Sequence, residues 1–224
     1  MTDAVDQHSL AGRFRGYYPV VVDIETAGFN ATTDAMLELA ATPLSMNDDG
    51  ELVRLETIAF NIAPFEGANL EPSSLAFTGI NPDCPERNAI AEKTALTELF
   101  KKLRALQKQH DCQRCVLVAH NAAFDNSFLN AAIQRTKHKR SPFHPFVTFD
   151  TTTLCALILG KTVLSEACEL AGVDFDKSQA HSAAYDTEKT AELFCHMVNH
   201  HQALGGWPYT VAKQPQEEEP SAEI

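Results

Sequence analysis

The sequence predicts an α/β domain built round a mixed five-stranded sheet flanked by helices. Two observations carry this. Near the start, a β-branched run (Val20, Val21, Val22, Ile24) precedes two more strand candidates, 36–44 and 52–62. Those two are separated by Asn47-Asp48-Asp49-Gly50, whose Asp-Gly step favours a tight antiparallel hairpin. Beyond residue 86 the pattern changes to helix, strand, helix, strand, helix, the order of a sheet with crossover connections. The 224 residues suit one domain with a sizeable core, and no internal repeat is present.

Taken in order, residues 1–12 read as a flexible lead-in, 13–212 as the folded domain and 213–224, rich in Gln, Glu and Pro, as an acidic disordered tail. The first strand is bounded by Pro19 and Gly28, and Pro43 pushes the far end of the second toward an edge or bulge. Residues 64–85, punctuated by Pro and Gly, read as a long connection. A helical period over 86–109 puts Glu92, Leu96, Leu99, Leu103 and Leu106 on one face, with Lys101, Lys102 and Lys108 outside it. A buried strand at 115–119 leads through His120 and Asn121 into a helix ending near Thr136. The basic, Pro-containing stretch 137–145 is a loop, and 146–149 is a strand ending at Asp150. Helices follow at 151–159 and 163–171, with Gly160 and Gly172 as stops, and a long helix runs over 182–202.

Composition narrows the function classes. An apolar fraction of 44% without a membrane-length run, and a start lacking both a basic and an apolar signal segment, predict a soluble cytoplasmic protein. Six scattered cysteines beside apolar residues suit reduced, core-packed thiols. The net charge of −12 argues at first against a polyanion partner. Part of it, however, lies in Glu217, Glu218, Glu219 and Glu223, while basic residues cluster at Arg13 with Arg15, at 101–108 with Arg114, and at 135–140. Any contact with nucleic acid is therefore local.

The chemistry collects on carboxylates. Asp23 and Glu25 alternate along the first strand, so both project from one face while Val22 and Ile24 point the other way. Two like charges on an apolar strand are costly to desolvate unless a cation neutralises them; the alternative is that the strand ends early and both are solvated. Asp125 leads the face carrying Phe128, Leu129, Ala132 and Thr136, with a helix-dipole role as the alternative. Asp186 shares a side of the last helix with Thr190, Leu193 and Met197, where a lone acid calls for a partner or a metal. Glu188 falls off this stripe and reads as a solvated acid, and His181 lies five residues before Asp186 in a loop. Four carboxylates and a histidine are what two-metal phosphoryl chemistry requires, with oxygen ligands suiting Mg²⁺ or Mn²⁺. A neutral imidazole is suited to take a proton from water at physiological pH.

Asp23-Ile24-Glu25, then Asn121-Ala122-Ala123-Phe124-Asp125, then His181-Ser182-Ala183-Ala184-Tyr185-Asp186, in this order, resemble the three motifs of the DEDDh exonuclease superfamily. Longer phrases, at 13–19, 81–83, 142–146 and 204–208, are similar to one RNA-trimming branch of it, so the resemblance spans roughly 13–208. It implies a ribonuclease H-like fold, a homodimer, and metal-dependent 3′→5′ trimming of RNA. The substrates implied are single-stranded 3′ ends of transfer RNA and other stable RNAs, ribosomal precursors among them, with release of nucleoside 5′-monophosphates and some action on single-stranded DNA. It also implies two Mg²⁺ per subunit, with Mn²⁺ as the alternative. Asp23 would bridge both ions, Glu25 and Asp186 complete the first, and Asp125 support the second. His181 would be the general base.

A single-stranded end offers bases to aromatic faces. Phe29 follows the first acid motif and Phe124 precedes Asp125, which sets both against the ordinary reading of a core phenylalanine. For Phe77 and Phe146 the resemblance carries the assignment, since four such rings sandwich the terminal bases in that branch. Ser73 departs from it, standing where the branch has an acidic residue. The resemblance further implies that Arg13, Arg15, Lys108, Arg114, Lys139 and Arg140 of one subunit hold RNA entering the other's site; otherwise they are solubilising surface. Cys112-Gln-Arg-Cys115 has no second pair at zinc spacing, and His196 and His200 lack the Glu of a zinc-protease helix. A DNA-proofreading exonuclease and an inactive nucleic-acid-binding module are the rival functions; clustered carboxylates, which repel phosphate, argue against the second.

Overall fold

The computed structural model describes residues 9–207, so the tail expected at 213–224 and the start of the lead-in lie outside the described residues. Where the lead-in of 1–12 overlaps them, Ser9 caps a short helix α1 (Leu10–Arg13) by accepting from the Gly12 amide at 3.1 Å, and Leu10 is buried in the core.

The strands are β1 (Tyr17–Thr26), β2 (Met36–Met46), β3 (Leu52–Arg54), β4 (Ile58–Ala63), β5 (Ile90–Ala91), β6 (Arg114–Ala119) and β7 (Phe143–Asp150). They form one mixed sheet in the order β5-β4-β2-β1-β6-β7, with β3 also paired to β2. β1 is central, antiparallel to β2 and parallel to β6, which is parallel to β7. The expected α/β architecture holds, but the sheet has seven strands rather than five. One addition is β5, two residues alongside Ile62 and Ala63.

The other comes from Pro43. The expected strand over 52–62 is split into β3 and β4 opposite this residue. The Pro43 carbonyl accepts from Leu55 at 2.9 Å, so its nitrogen, which has no hydrogen, faces the same neighbour. Ala41 pairs with Ile58 but Leu44 with Arg54, so one extra residue is taken up there as a bulge.

The helices are α2 (Pro72–Thr78), α3 (Glu92–Gln109), α4 (Ala122–Arg135), α5 (Thr151–Leu159), α6 (Leu164–Ala171) and α7 (Ala183–Ala203). α2 replaces part of the connection expected over 64–85: Pro72 fits the first helical turn and Gly79, at φ 71°, closes it. α3 begins later than its pattern suggests, after a 3₁₀ turn at Pro85–Arg87. Gly160 and Gly172 end α5 and α6 in left-handed conformations, as expected. α3 and α4 pack with each other and the sheet, while α5 and α6 join α7 round a second small core of Cys155, Ala167, Cys168, Leu193 and Met197. All six cysteines are free thiols, five of them buried. Among the described residues, no helix is long and apolar enough to cross a membrane.

The acid on the apolar face of α3 has a partner. Glu92, 5% exposed, receives two hydrogen bonds from the Arg135 guanidinium, at 2.7 and 3.0 Å, which ties α3 to the end of α4. Arg135 also lies over the Phe65 ring at 3.9 Å. Because Glu92→Ala would leave this partly buried guanidinium without its carboxylate, with only the Ala31 carbonyl at 3.3 Å still accepting from it, it should destabilise the protein by about 2–4 kcal/mol, allowing for the partial exposure of Arg135. The urea midpoint checks this; an unchanged midpoint would show the pair to be a surface contact.

Candidate active site

β1 delivers two acids to one place. Asp23 and Glu25 are half-buried on one face, and Val22 and Ile24 are buried on the other, as alternation requires. β6 runs parallel to β1, Val118 beside Val21, so the chain leaving β6 starts α4 at the same end of the sheet and brings Asp125 there in its first turn. α7 packs across β1 and β2 and carries Asp186 in its first turn. Asp125 is 4% exposed and Asp186 9%, so both lead into buried faces.

Single ligand atoms of Glu25, His181 and Asp186 all lie within 4.8 Å of one another. His181 adopts a left-handed conformation, φ 68°, and its backbone N–H donates to Asp186 Oδ2 at 2.9 Å. Asp186 Oδ1 is buried with no hydrogen-bond partner among the described residues. Burial, then repulsion from Asp186 and Glu38, pushes the Glu25 carboxyl up to about 8. Asp23 is raised well above the carboxylate range by burial and then by Asp125, Glu25, Asp186 and Glu38. Burial likewise raises Asp125 and Asp186. A set of oxygen donors that repel one another, one of them orphaned, fits a hard divalent cation. Glu188, read as a solvated acid, instead pairs with Arg54 at 2.7 Å on the partly exposed side of α7.

Beside the acids opens a cavity of about 470 Å³ lined by Glu25, Phe29, Ser73, Phe77, Asn121 and Phe124, among others. Phe29 is 86% exposed and Phe77 68%, too much for core residues. The Phe29 ring meets Phe124 edge-on at 6.3 Å, and the Phe77 ring lies 4.3 Å from the His181 imidazole. Phe146 is not among the residues lining this cavity: it sits exposed on β7 with its ring edge-on to His144 at 4.5 Å.

The basic residues lie at the other end of the sheet. Tyr17 pairs with Arg114 and Cys115 with Phe143, so the parallel strands begin together. Arg13 and Arg15 precede β1, Lys108 lies near the end of α3, Arg114 opens β6, and Lys139 and Arg140 precede β7. At roughly 3.3 Å per residue, Asp23 is about 20 Å along the strand from Tyr17. Arg13 and Arg15 line a second cleft of about 1,260 Å³, where the Arg13 guanidinium lies over the Trp207 ring at 4.2 Å.

Sequence reasoning missed Glu38. It stands opposite Glu25 in the β1–β2 register, and its Oε2 accepts from the Ala183 amide at 3.0 Å, where Ser182 makes no side-chain cap. An acid interrupting the apolar run of β2 was the available signal. Asp150, read only as a strand end, accepts from the Ala122 and Thr153 amides, each at 2.7 Å, and so joins the starts of α4 and α5. The Cys112 and Cys115 thiols are buried and pushed up to about 11 and about 12 by burial first, as in inert core cysteines. His196 and His200 stack with rings 6.0 Å apart on an exposed face of α7.

Comparison with known proteins gives the fold and the family. The fold matches the nuclease domain of 3′hExo, a DEDDh family member bound to rAMP, with a TM-score of 0.63 at 17% identity, over 82% of this chain and 92% of that one. It also matches E. coli Exonuclease I in complex with a dT13 oligonucleotide, with a TM-score of 0.63 at 16% identity, over 85% of this chain and 43% of that one. Residues 20–194 match the RNase_T family model, described as "Exonuclease". Ribonuclease T of Shewanella denitrificans is 61% identical over 96% of this chain and 95% of its own length. That of Shewanella frigidimarina is 60% identical over 93% and 94%. With identity at that level along nearly the whole chain, the protein belongs to the ribonuclease T family, hydrolases that act as 3′→5′ exonucleases of the DEDDh group.

Proposed function

We propose that the protein trims single-stranded 3′ ends of transfer RNA and other stable RNAs in the cytoplasm, releasing nucleoside 5′-monophosphates, with single-stranded DNA as a second substrate. The supporting observation is that the Glu25, His181 and Asp186 ligand atoms, within 4.8 Å of one another, adjoin a cavity walled by Phe29, Phe77 and Phe124. Exposed rings beside the acids suit an unpaired terminal base, for which stacking is worth about 1–3 kcal/mol.

In this reading Asp23, Glu25, Asp125 and Asp186 hold two Mg²⁺, with Mn²⁺ as the alternative. Such ions, when bound, activate a water and stabilise the leaving oxygen of an in-line displacement. His181 accepts the proton of the attacking water. Its backbone bond to Asp186 holds the loop, and its ring lies against Phe77, which ties the proton acceptor to the wall that grips the base. Water oxygen bonds to phosphorus, the phosphorus–O3′ bond breaks, and the new 3′ hydroxyl takes up a proton. Asp23→Asn should abolish turnover of 3′-labelled RNA while binding persists, and His181→Ala should lower kcat by about 10²–10⁴-fold. Retention of full activity by either variant would remove its assignment.

Arg13, Arg15, Lys108, Arg114, Lys139 and Arg140 are assigned to RNA entering the other subunit of a homodimer. Supporting this is their separation from the acids of their own chain; Phe146, exposed on β7, is read with Phe29, Phe77 and Phe124 as a ring for the terminal bases. Reversing Arg13 and Arg15 to Glu should weaken RNA binding and flatten its dependence on salt without unfolding the protein. Binding and salt slope equal to those of the unaltered protein would sink the assignment.

A further inference from the structure

Asp34, 4% exposed and just ahead of β2, is a buried acid that takes no part in the site. Its Oδ2 accepts from the Asn30 amide at 2.9 Å, and its Oδ1 accepts from the Thr33 hydroxyl at 2.8 Å and the Asn69 side-chain amide at 3.1 Å. The loop it gathers is the one that presents Phe29. Gly28 is pressed so closely on it that a Cβ there would fall 2.0 Å from Asp34 Oδ2. Asn69 faces the other way as well, donating to Glu71 Oε1 at 3.0 Å. Glu71 stands at the N-cap position of α2, the helix carrying Phe77, without a side-chain capping bond.

Backbone bonds follow the same route. Asn69 N–H donates to Thr33 O at 2.8 Å, Ala35 N–H to Asn69 O at 3.2 Å, and Glu71 N–H to Ala27 O at 2.8 Å. Beneath them a small apolar cluster of Ala27, Ala35 and Leu37 receives Leu75 and Ile80. No residue of α2 is fully buried, so packing alone holds this helix weakly. The polar bridge is what joins its start to the Phe29 loop.

We infer that Asp34 and Asn69 form a positioning clamp that sets the gap between Phe29 and Phe77, and through it the grip on the terminal nucleotide. The inference rests on the cavity being the base-binding site. Neither residue touches the acids, so the clamp acts on binding of the 3′ end rather than on the hydrolytic step.

The test is steady-state kinetics on a 3′-labelled single-stranded RNA with Mg²⁺, with folding checked by circular dichroism. Asn69 is exposed, so Asn69→Ala can be made without disturbing the core. It should raise KM on the order of tenfold, the scale of one lost base stack, with kcat nearly unchanged. Phe77→Ala should raise KM at least as far, whatever its contact with His181 does to kcat, and the two together should raise KM little more than Phe77→Ala alone. Asp34→Asn, which keeps one acceptor, should fall between the unaltered protein and Asp34→Ala. If Asn69→Ala costs its full factor again in the Phe77→Ala background, or lowers kcat with KM unchanged, the clamp is overturned. If Phe77→Ala itself leaves KM unchanged, the base-binding reading fails first and takes the clamp with it.

Discussion

Mutual repulsion among buried carboxylates is the constraint round which this structure is arranged. Asp23, Glu25, Asp125 and Asp186 come from three separate elements; burial raises the carboxyl of each, and neighbouring acids raise those of Asp23, Glu25 and Asp125 further. Such a cluster opposes folding unless something positive occupies it. The fold nevertheless holds the acids firmly. A parallel β1–β6 pair sets the starting point of α4, and Glu38 ties the first turn of α7 to β2. Holding repelling groups together in this way is what the cation site proposed above requires.

The sheet also separates tasks by distance. Acids and the ring-lined cavity sit near the C-terminal ends of β1 and β6, and the basic residues near the N-terminal ends of β1, β6 and β7. This resolves the apparent conflict between a net charge of −12 and a nucleic-acid substrate. Positive charge is local, and it lies where it does not neutralise the clustered carboxylates. It also makes a lone chain a poor holder of long RNA, and so favours the homodimer proposed above.

Much of this was legible in the sequence because local rules carried it. Alternation along residues 20–25 placed Asp23 and Glu25 on one face, and helical spacing put Asp186 at the head of a buried stripe. Elements hidden from the sequence depend on partners distant in the chain. Pro43 gave a bulge signal, but that the bulge would cut the next strand in two follows only from which neighbour its nitrogen faces. α2 was masked because Pro72 and Gly79 punctuate loops and short helices alike. Glu38 gains its meaning from Ala183, far along the chain.

The most direct test of the central claim is the thermal stability of Glu25→Gln beside the unaltered protein, with chelator and with millimolar Mg²⁺. It is best made above the pH of about 8 at which Glu25 titrates, where the carboxylate is charged. A carboxyl whose folded pKa is raised loses stability as pH climbs from its unfolded to its folded value, so there the charge opposes folding. Glu25→Gln should therefore melt higher than the unaltered protein in chelator, and Mg²⁺ should stabilise the unaltered protein far more than the variant. A variant that melts lower in chelator and gains as much from Mg²⁺ would contradict the account.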